Sequence, residues 1–182
     1  CLAAGIPLAA VARGLADFSG VKGRLQRRRG INGAVILDDT YNANPDSVLA
    51  GIDVLASTIG RKILVLGDMG EIGDASAQYH DEVGGYAKSQ GIDRLYTLGE
   101  SSPLAARNFG EGGQSFGDVG ALVAALLPEL TPQATVLVKG SRFMKMERVA
   151  DALAAPAQDS VPANGSVESA PARRAETDQE AA

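Results

Sequence analysis

Asp38-Asp39-Thr40-Tyr41-Asn42-Ala43-Asn44-Pro45-Asp46-Ser47 stands between two segments of different periodicity, and its reading decides the fold. Ahead of it, Ala34-Val35-Ile36-Leu37 is a short unbroken apolar run, the pattern of a strand covered on both faces. Behind it, Val48, Ile52, Leu55 and Ile59 recur at helical spacing, with Leu49 and Ala56 widening that face. Asn44 suits the N-cap, and Pro45 suits the first helical position, where its missing N–H has no partner to lose. Such a junction leaves free backbone N–H groups and the positive end of a helix dipole beside the loop. Two carboxylates, a phenol and two carboxamides are more than a bare connector needs. Turn, cap and sheet-end roles for Asp38, Asn44 and Tyr41 remain the plainer alternative.

Outward from this junction the chain alternates regularly. Buried strands are expected near Ala34–Leu37, Ile63–Leu66, Leu95–Leu98 and Thr135–Val138, with a weaker one near Ser115–Phe116. Helices are expected near Pro45–Thr58, Ser76–Gln90, Ser101–Asn108, Asp118–Leu127 and Phe143–Leu153. Strands alternating with helices of this length imply crossover connections, hence an α/β, Rossmann-like, mostly parallel sheet with helices on both faces. Upstream, Lys22, Arg24, Arg27, Arg28 and Arg29 put five cations within eight residues. Gly30-Ile31-Asn32-Gly33 then reads as the turn of an N-terminal β-hairpin, and the charge run as a solvated edge strand kept from aggregating. Residues 1–18 read as helical, broken at Ile6-Pro7-Leu8, with Val11, Leu15 and Phe18 on a second apolar face.

Composition narrows the class. The chain has 182 residues, 45% of them apolar, enough for one core of ordinary size. No window reaches the ~18 consecutive apolar residues of a spanning helix. Residues 1–12 lack the basic flank of a secretory signal. The single cysteine, Cys1, and the single histidine, His80, supply neither an internal disulfide nor a zinc cluster, which suits a reducing cytoplasm. Net charge is −5, of which residues 156–182 carry −3 through five acids and two arginines, leaving −2 for the rest. Such a balance argues against a general nucleic-acid binder. Residues 156–182 contain only Val161 and Val167 as large aliphatics and are expected to form a disordered C-terminal tail.

In an open parallel sheet ligands bind beyond the carboxyl ends of the strands. The second strand runs into Gly67-Asp68-Met69-Gly70-Glu71-Ile72-Gly73, which matches neither a Walker A loop nor G-x-G-x-x-G. The third ends in Gly99-Glu100-Ser101, with Ser101 a candidate N-cap. After the last strand, Lys139-Gly140-Ser141-Arg142 puts two cations and a hydroxyl ahead of a helix, either a carboxylate- or phosphate-binding corner or a plain helix start.

The string Asp38–Ser47 resembles the motif that opens the C-terminal domain of the Mur ligases, in the form carried by members that join D-alanyl-D-alanine to a UDP-N-acetylmuramoyl-tripeptide. Leu66-Gly67-Asp68-Met69-Gly70-Glu71-Ile72-Gly73 with His80, Val138-Lys139-Gly140-Ser141-Arg142 with Met146-Glu147, and Gly23-Arg24-Leu25 are similar to the same pattern. The resemblance covers residues 1–153. It implies residues 1–22 as the end of a central ATP-binding domain with its linker and 23–155 as the C-terminal Rossmann-like domain, with the compositional tail 156–182 after it. It further implies that Arg24, Asp39, Tyr41, Asn42 and Asn44 face ATP, and that Asp68, Lys139, Ser141 and Arg142 help hold substrate. ATP and Mg2+ would be held mainly by the central domain, which carries the phosphate loop. The partners implied are the two substrates and the enzyme's own central and N-terminal domains, in the cytoplasm.

Other readings fit the alternation, a non-catalytic interaction module among them. A phosphoacceptor receiver also carries an acidic pair and a lysine at strand ends, but needs its aspartate on the third strand, whereas Asp68 follows the second. A folylpolyglutamate-synthase-like ligase would show histidine in the first loop, where this chain has Asn42-Ala43-Asn44-Pro45.

Overall fold

The computed structural model describes residues 2–16 and 20–156. Among them, β1 (Gln26–Arg29) runs antiparallel to β2 (Val35–Asp39), closing the expected hairpin through a tight turn at Ile31–Gly33. The other strands, β3 (Arg61–Gly67), β4 (Arg94–Leu98), β5 (Gly113–Phe116) and β6 (Ala134–Lys139), run parallel to β2 in the order β1-β2-β6-β3-β4-β5. The last strand in sequence is thus inserted between the first two parallel ones. The arginine-rich β1 lies at the sheet edge, as its charge suggested.

Period-two alternation sorts the apolar residues into two cores. Leu37, Leu64, Leu66 and Leu137 pack beneath α2 (Pro45–Ala56), α3 (Ser76–Ser89) and α4 (Pro103–Phe109). Ile36, Ile63, Val65, Val136 and Val138 face α5 (Val119–Leu126) and α6 (Glu147–Leu153) on the other side. Each fully buried Leu or Ile contributes roughly 1.5–3 kcal/mol, so both layers are held by the same term. The sheet is therefore doubly wound, as the alternation implied.

Several local expectations shift. β2 continues through Asp38 and Asp39, which are strand residues and not loop residues. α2 stops at Ala56, so Ile59 falls beyond the helix and is 96% exposed instead of packed. The last helix begins at Glu147, not Phe143: residues Arg142–Met144 form a 3-10 turn ended by Lys145 in the left-handed region. Phe143 is consequently exposed, while Met146 and Val149 are buried as the apolar spacing required. α1 (Leu8–Ala16) confirms the helix after Pro7, and Leu8 is exposed. Phe18, the side chain of Leu15, and the tail from residue 157 lie outside the described residues.

Candidate functional site

Alternation along β2 turns its two carboxylates to opposite faces, so they do not form an acidic pair. Asp38 is fully buried on the α6 side, accepting from Arg28 Nη1 at 3.1 Å and from Thr40 Oγ1 at 2.7 Å. Arg28 also donates to Asp151 Oδ1 at 2.7 Å. Burial disfavours the Arg28 charge, but Asp151 and Asp38 outweigh it and hold the guanidinium above its ordinary pKa. This network ties β1, β2 and α6 together.

Asp39 faces α2 and meets Lys139, its register partner on β6. Lys139 Nζ donates to Asp39 Oδ2 at 2.6 Å and to the Asn42 carbonyl at 2.9 Å, and is itself almost entirely buried. Asp39 Oδ1 accepts from the Leu25 N–H at 3.1 Å, which holds Leu25 in the left-handed region. Gly51 lets α2 come down over the pair: a Cβ there would stand 3.1 Å from Leu137 Cδ2. A glycine costs about 1 kcal/mol in a helix interior, and this close approach is its structural reason.

The Tyr41 N–H donates to the Gly23 carbonyl at 2.9 Å, and the Arg24 guanidinium lies 4.0 Å above the Tyr41 ring. Asn44 caps α2 as expected, its side chain accepting from the Ser47 N–H at 2.9 Å, with Pro45 at the first helical position. Arg24, Asp39, Tyr41, Asn42, Asn44 and Lys139 line one hollow of about 450 Å³. The first five are the residues singled out for ATP. Lys139, grouped from sequence with Ser141 and Arg142, belongs to this hollow instead.

The remaining substrate candidates separate. Asp68 is buried, and its carboxylate accepts the N–H groups of Glu100 (2.8 Å), Ser101 (3.1 Å) and Ser102 (2.7 Å). It therefore holds the turn that leads from β4 into α4, reaching it from the loop after β3. Ser101 is not the N-cap: Ser102 occupies that position and makes no side-chain cap bond. Ser141 is also buried; its hydroxyl donates to the Ala43 carbonyl at 3.0 Å and accepts from the Gly70 N–H at 2.6 Å. Arg142 alone reaches solvent, with 69% of its side chain exposed and Glu147 Oε1 3.6 Å away. Phe143 beside it is exposed too, with its ring against Gly70.

Sequence reasoning assigned His80 only to a helix near the glycine-rich loop. It is fully buried, Nε2 accepting from the Met69 N–H at 3.0 Å and Nδ1 lying 2.7 Å from the Ser76 carbonyl. Those partners assign the proton to Nδ1. The histidine fixes the loop's backbone and does not face the hollow. The one available signal was its place in the run Gly67–His80.

A mostly parallel sheet, wound with helices on both faces and with polar side chains gathered beyond its strand ends, defines a Rossmann-like α/β domain. Within that class, the model of the Mur ligase, glutamate ligase domain family matches residues 23–142, and the chain belongs to that family. The UDP-N-acetylmuramoyl-tripeptide–D-alanyl-D-alanine ligase of Escherichia coli K12 is 40% identical over 84% of this chain. The chain spans about a third (34%) of that relative's length. A crystal structure of MurF from Acinetobacter baumannii superposes with a TM-score of 0.69 at 33% identity, covering 82% of this chain and 34% of that one. MurF ligase from Thermotoga maritima, solved in complex with ADP, gives 0.66 at 29% identity over 79% of this chain and 35% of that one.

Proposed function

We propose that this chain is the C-terminal part of an ATP-dependent ligase that joins D-alanyl-D-alanine to UDP-N-acetylmuramoyl-tripeptide in the cytoplasm, for peptidoglycan precursor synthesis. The observation that carries the reading is the convergence of Arg24, Asp39, Tyr41, Asn42 and Asn44 on one hollow at the carboxyl ends of β2 and β6. The names of the relatives supply the substrates. In this reading residues 1–22 end the central domain and its linker, 23–155 form the C-terminal domain, and 156–182 are a dispensable tail.

The hollow suits a nucleotide. The stacked Arg24–Tyr41 pair presents a flat cationic face, and Asn42 and Asn44 supply carboxamides at its rim. Mg2+ does not fit here: Asp39 is already held by Lys139 and the Leu25 N–H, and among the described residues no group of three or more His, Cys, Asp or Glu could hold a metal. In this reading metal and phosphate chemistry belongs to the central domain. This chain's share is to close over the nucleotide from one side and to offer the exposed Arg142 to the dipeptide carboxylate.

Steady-state kinetics on the full-length enzyme test the assignment. Asp39→Ala, which frees Lys139 and the Leu25 N–H at the wall of the hollow, should raise chiefly the KM for ATP. Arg142→Ala, which removes a charge partner from the dipeptide carboxylate, should raise chiefly the KM for D-alanyl-D-alanine, by roughly thirtyfold. If both variants raised the same KM, the two sites would be one. The isolated chain should bind ATP weakly and show no ligase or ATPase turnover.

A further inference from the structure

Ser141 was singled out as a substrate contact, but its hydroxyl already serves two partners within the protein. Its proton goes to the Ala43 carbonyl, between Asn42 and Asn44 at the hollow. Its oxygen accepts the Gly70 N–H of the glycine-rich loop, and its own N–H donates to the Asp68 carbonyl. At 2% exposure it has no solvent-facing surface to offer a ligand.

Each partner is rigidly held in turn. Met69, next to Gly70, is held by His80, and the Asp68 carboxylate takes the three N–H groups of residues 100–102. Asn42, next to Ala43, is held at its carbonyl by Lys139. Arg142 follows Ser141 directly, and the 3-10 turn that carries it is closed by the Met144 N–H on the Ser141 carbonyl at 2.9 Å. The loops after β2, β3 and β6 thus meet at one buried hydroxyl, with the hollow on one side and the exposed arginine on the other.

We infer that Ser141 is a positioning residue that couples the two halves of the site: through it, the set of the Asn42–Asn44 loop fixes the set of the turn bearing Arg142. The inference rests on the proposed ligase reading for the identity of the two ligands, but not for the coupling itself. A ligand that favours this bridged arrangement at one half favours it at the other, and by linkage the two ligands favour each other equally.

The test uses the full-length enzyme as wild type, Ser141→Ala, Ser141→Cys and Arg142→Ala. Isothermal titration measures the Kd of ADP, and steady-state assays measure the KM of ATP and of D-alanyl-D-alanine. Loss of the bridge in Ser141→Ala should weaken ADP and raise both KM values by about fivefold, the size of one hydrogen bond. Ser141→Cys, which keeps a weaker donor in place, should fall between and carries the same readout if the alanine variant does not fold. Arg142→Ala should leave the ADP Kd unchanged. A rise in the dipeptide KM alone, with ADP binding intact, would make Ser141 a direct substrate contact and overturn the coupling, as would no change in either. If the wild-type enzyme failed to turn over D-alanyl-D-alanine, the ligase reading would fall while the ADP arm still tested the bridge.

Discussion

Lys139 and Asp39, a hundred residues apart in sequence, are register partners on adjacent strands and meet at 2.6 Å, the lysine side chain 3% and the aspartate 15% exposed. Breaking one side of a buried ion pair costs more than removing both, because the survivor is left uncompensated. Lys139→Met should destabilise the chain by about 3 kcal/mol, and adding Asp39→Asn should recover most of that loss. Urea denaturation of the two single variants and the double variant checks this. Additive losses would mean that the pair is solvated.

Asp68 is predicted to hold the turn ahead of α4. Asp68→Ala frees three N–H groups in the turn before α4 and should cost about 3 kcal/mol, whereas Asp68→Asn, which keeps one acceptor oxygen, should cost about half. Amide hydrogen exchange should accelerate first at Glu100–Ser102. Gly99→Ala should resemble Asp68→Ala, since a Cβ there would stand 2.1 Å from Asp68 Oδ1, at a φ of +145°. Unchanged exchange at those amides in Asp68→Ala would leave the carboxylate without a role in that turn.

Tyr96 gives a pH dependence. Burial, and then the charge of Glu129, push its phenol above the ordinary 10.0. The folded state therefore binds the phenolic proton more tightly than the unfolded chain does. That contribution is complete below about pH 10 and is lost as pH rises through the folded value. Tyr96→Phe should remove this part of the alkaline loss, so urea midpoints of the two proteins should converge between neutral pH and pH 11. Parallel pH curves would show that Tyr96 titrates alike in both states.

Just after α6, the Ala155 N–H donates to the Arg29 carbonyl at 2.9 Å, and Ala154 bridges Gly30. Truncation after Ala155 should leave the Tm unchanged. Truncation after Leu153 should lower it by roughly 2–4 °C for the lost backbone hydrogen bond. Equal Tm values for the two truncations would show that this segment adds nothing to the sheet edge.

What could be read from sequence was what is local. The Asn44 cap, Pro45 and the two-sided strands depend on neighbours a few residues away, and all three stand in the structure. The start of the last helix was misplaced because Lys145 adopts a left-handed conformation that an apolar period does not signal. Asp68 escaped because its partners are backbone N–H groups more than thirty residues on, invisible to any side-chain pattern. The resemblance grouped Lys139 with Ser141 and Arg142. Strand alternation sends Lys139 beneath α2, while the turn after Ser141 carries Arg142 out to solvent.

The placing of β6 between β2 and β3 bears on how the chain comes off the ribosome. β2 and β3 have no parallel neighbour in common until Ala134–Lys139 has been made, some seventy residues after β3 ends. At roughly 5–20 residues per second, the nascent chain then spends on the order of several seconds with the middle of its sheet open. During that interval Leu37 and Leu64 lack Leu137 between them, and Asp39 lacks its ammonium partner. Folding to the native topology is thus a late event in synthesis, and a ribosome stalled before residue 134 would hold a chain whose two halves have no strand to join them.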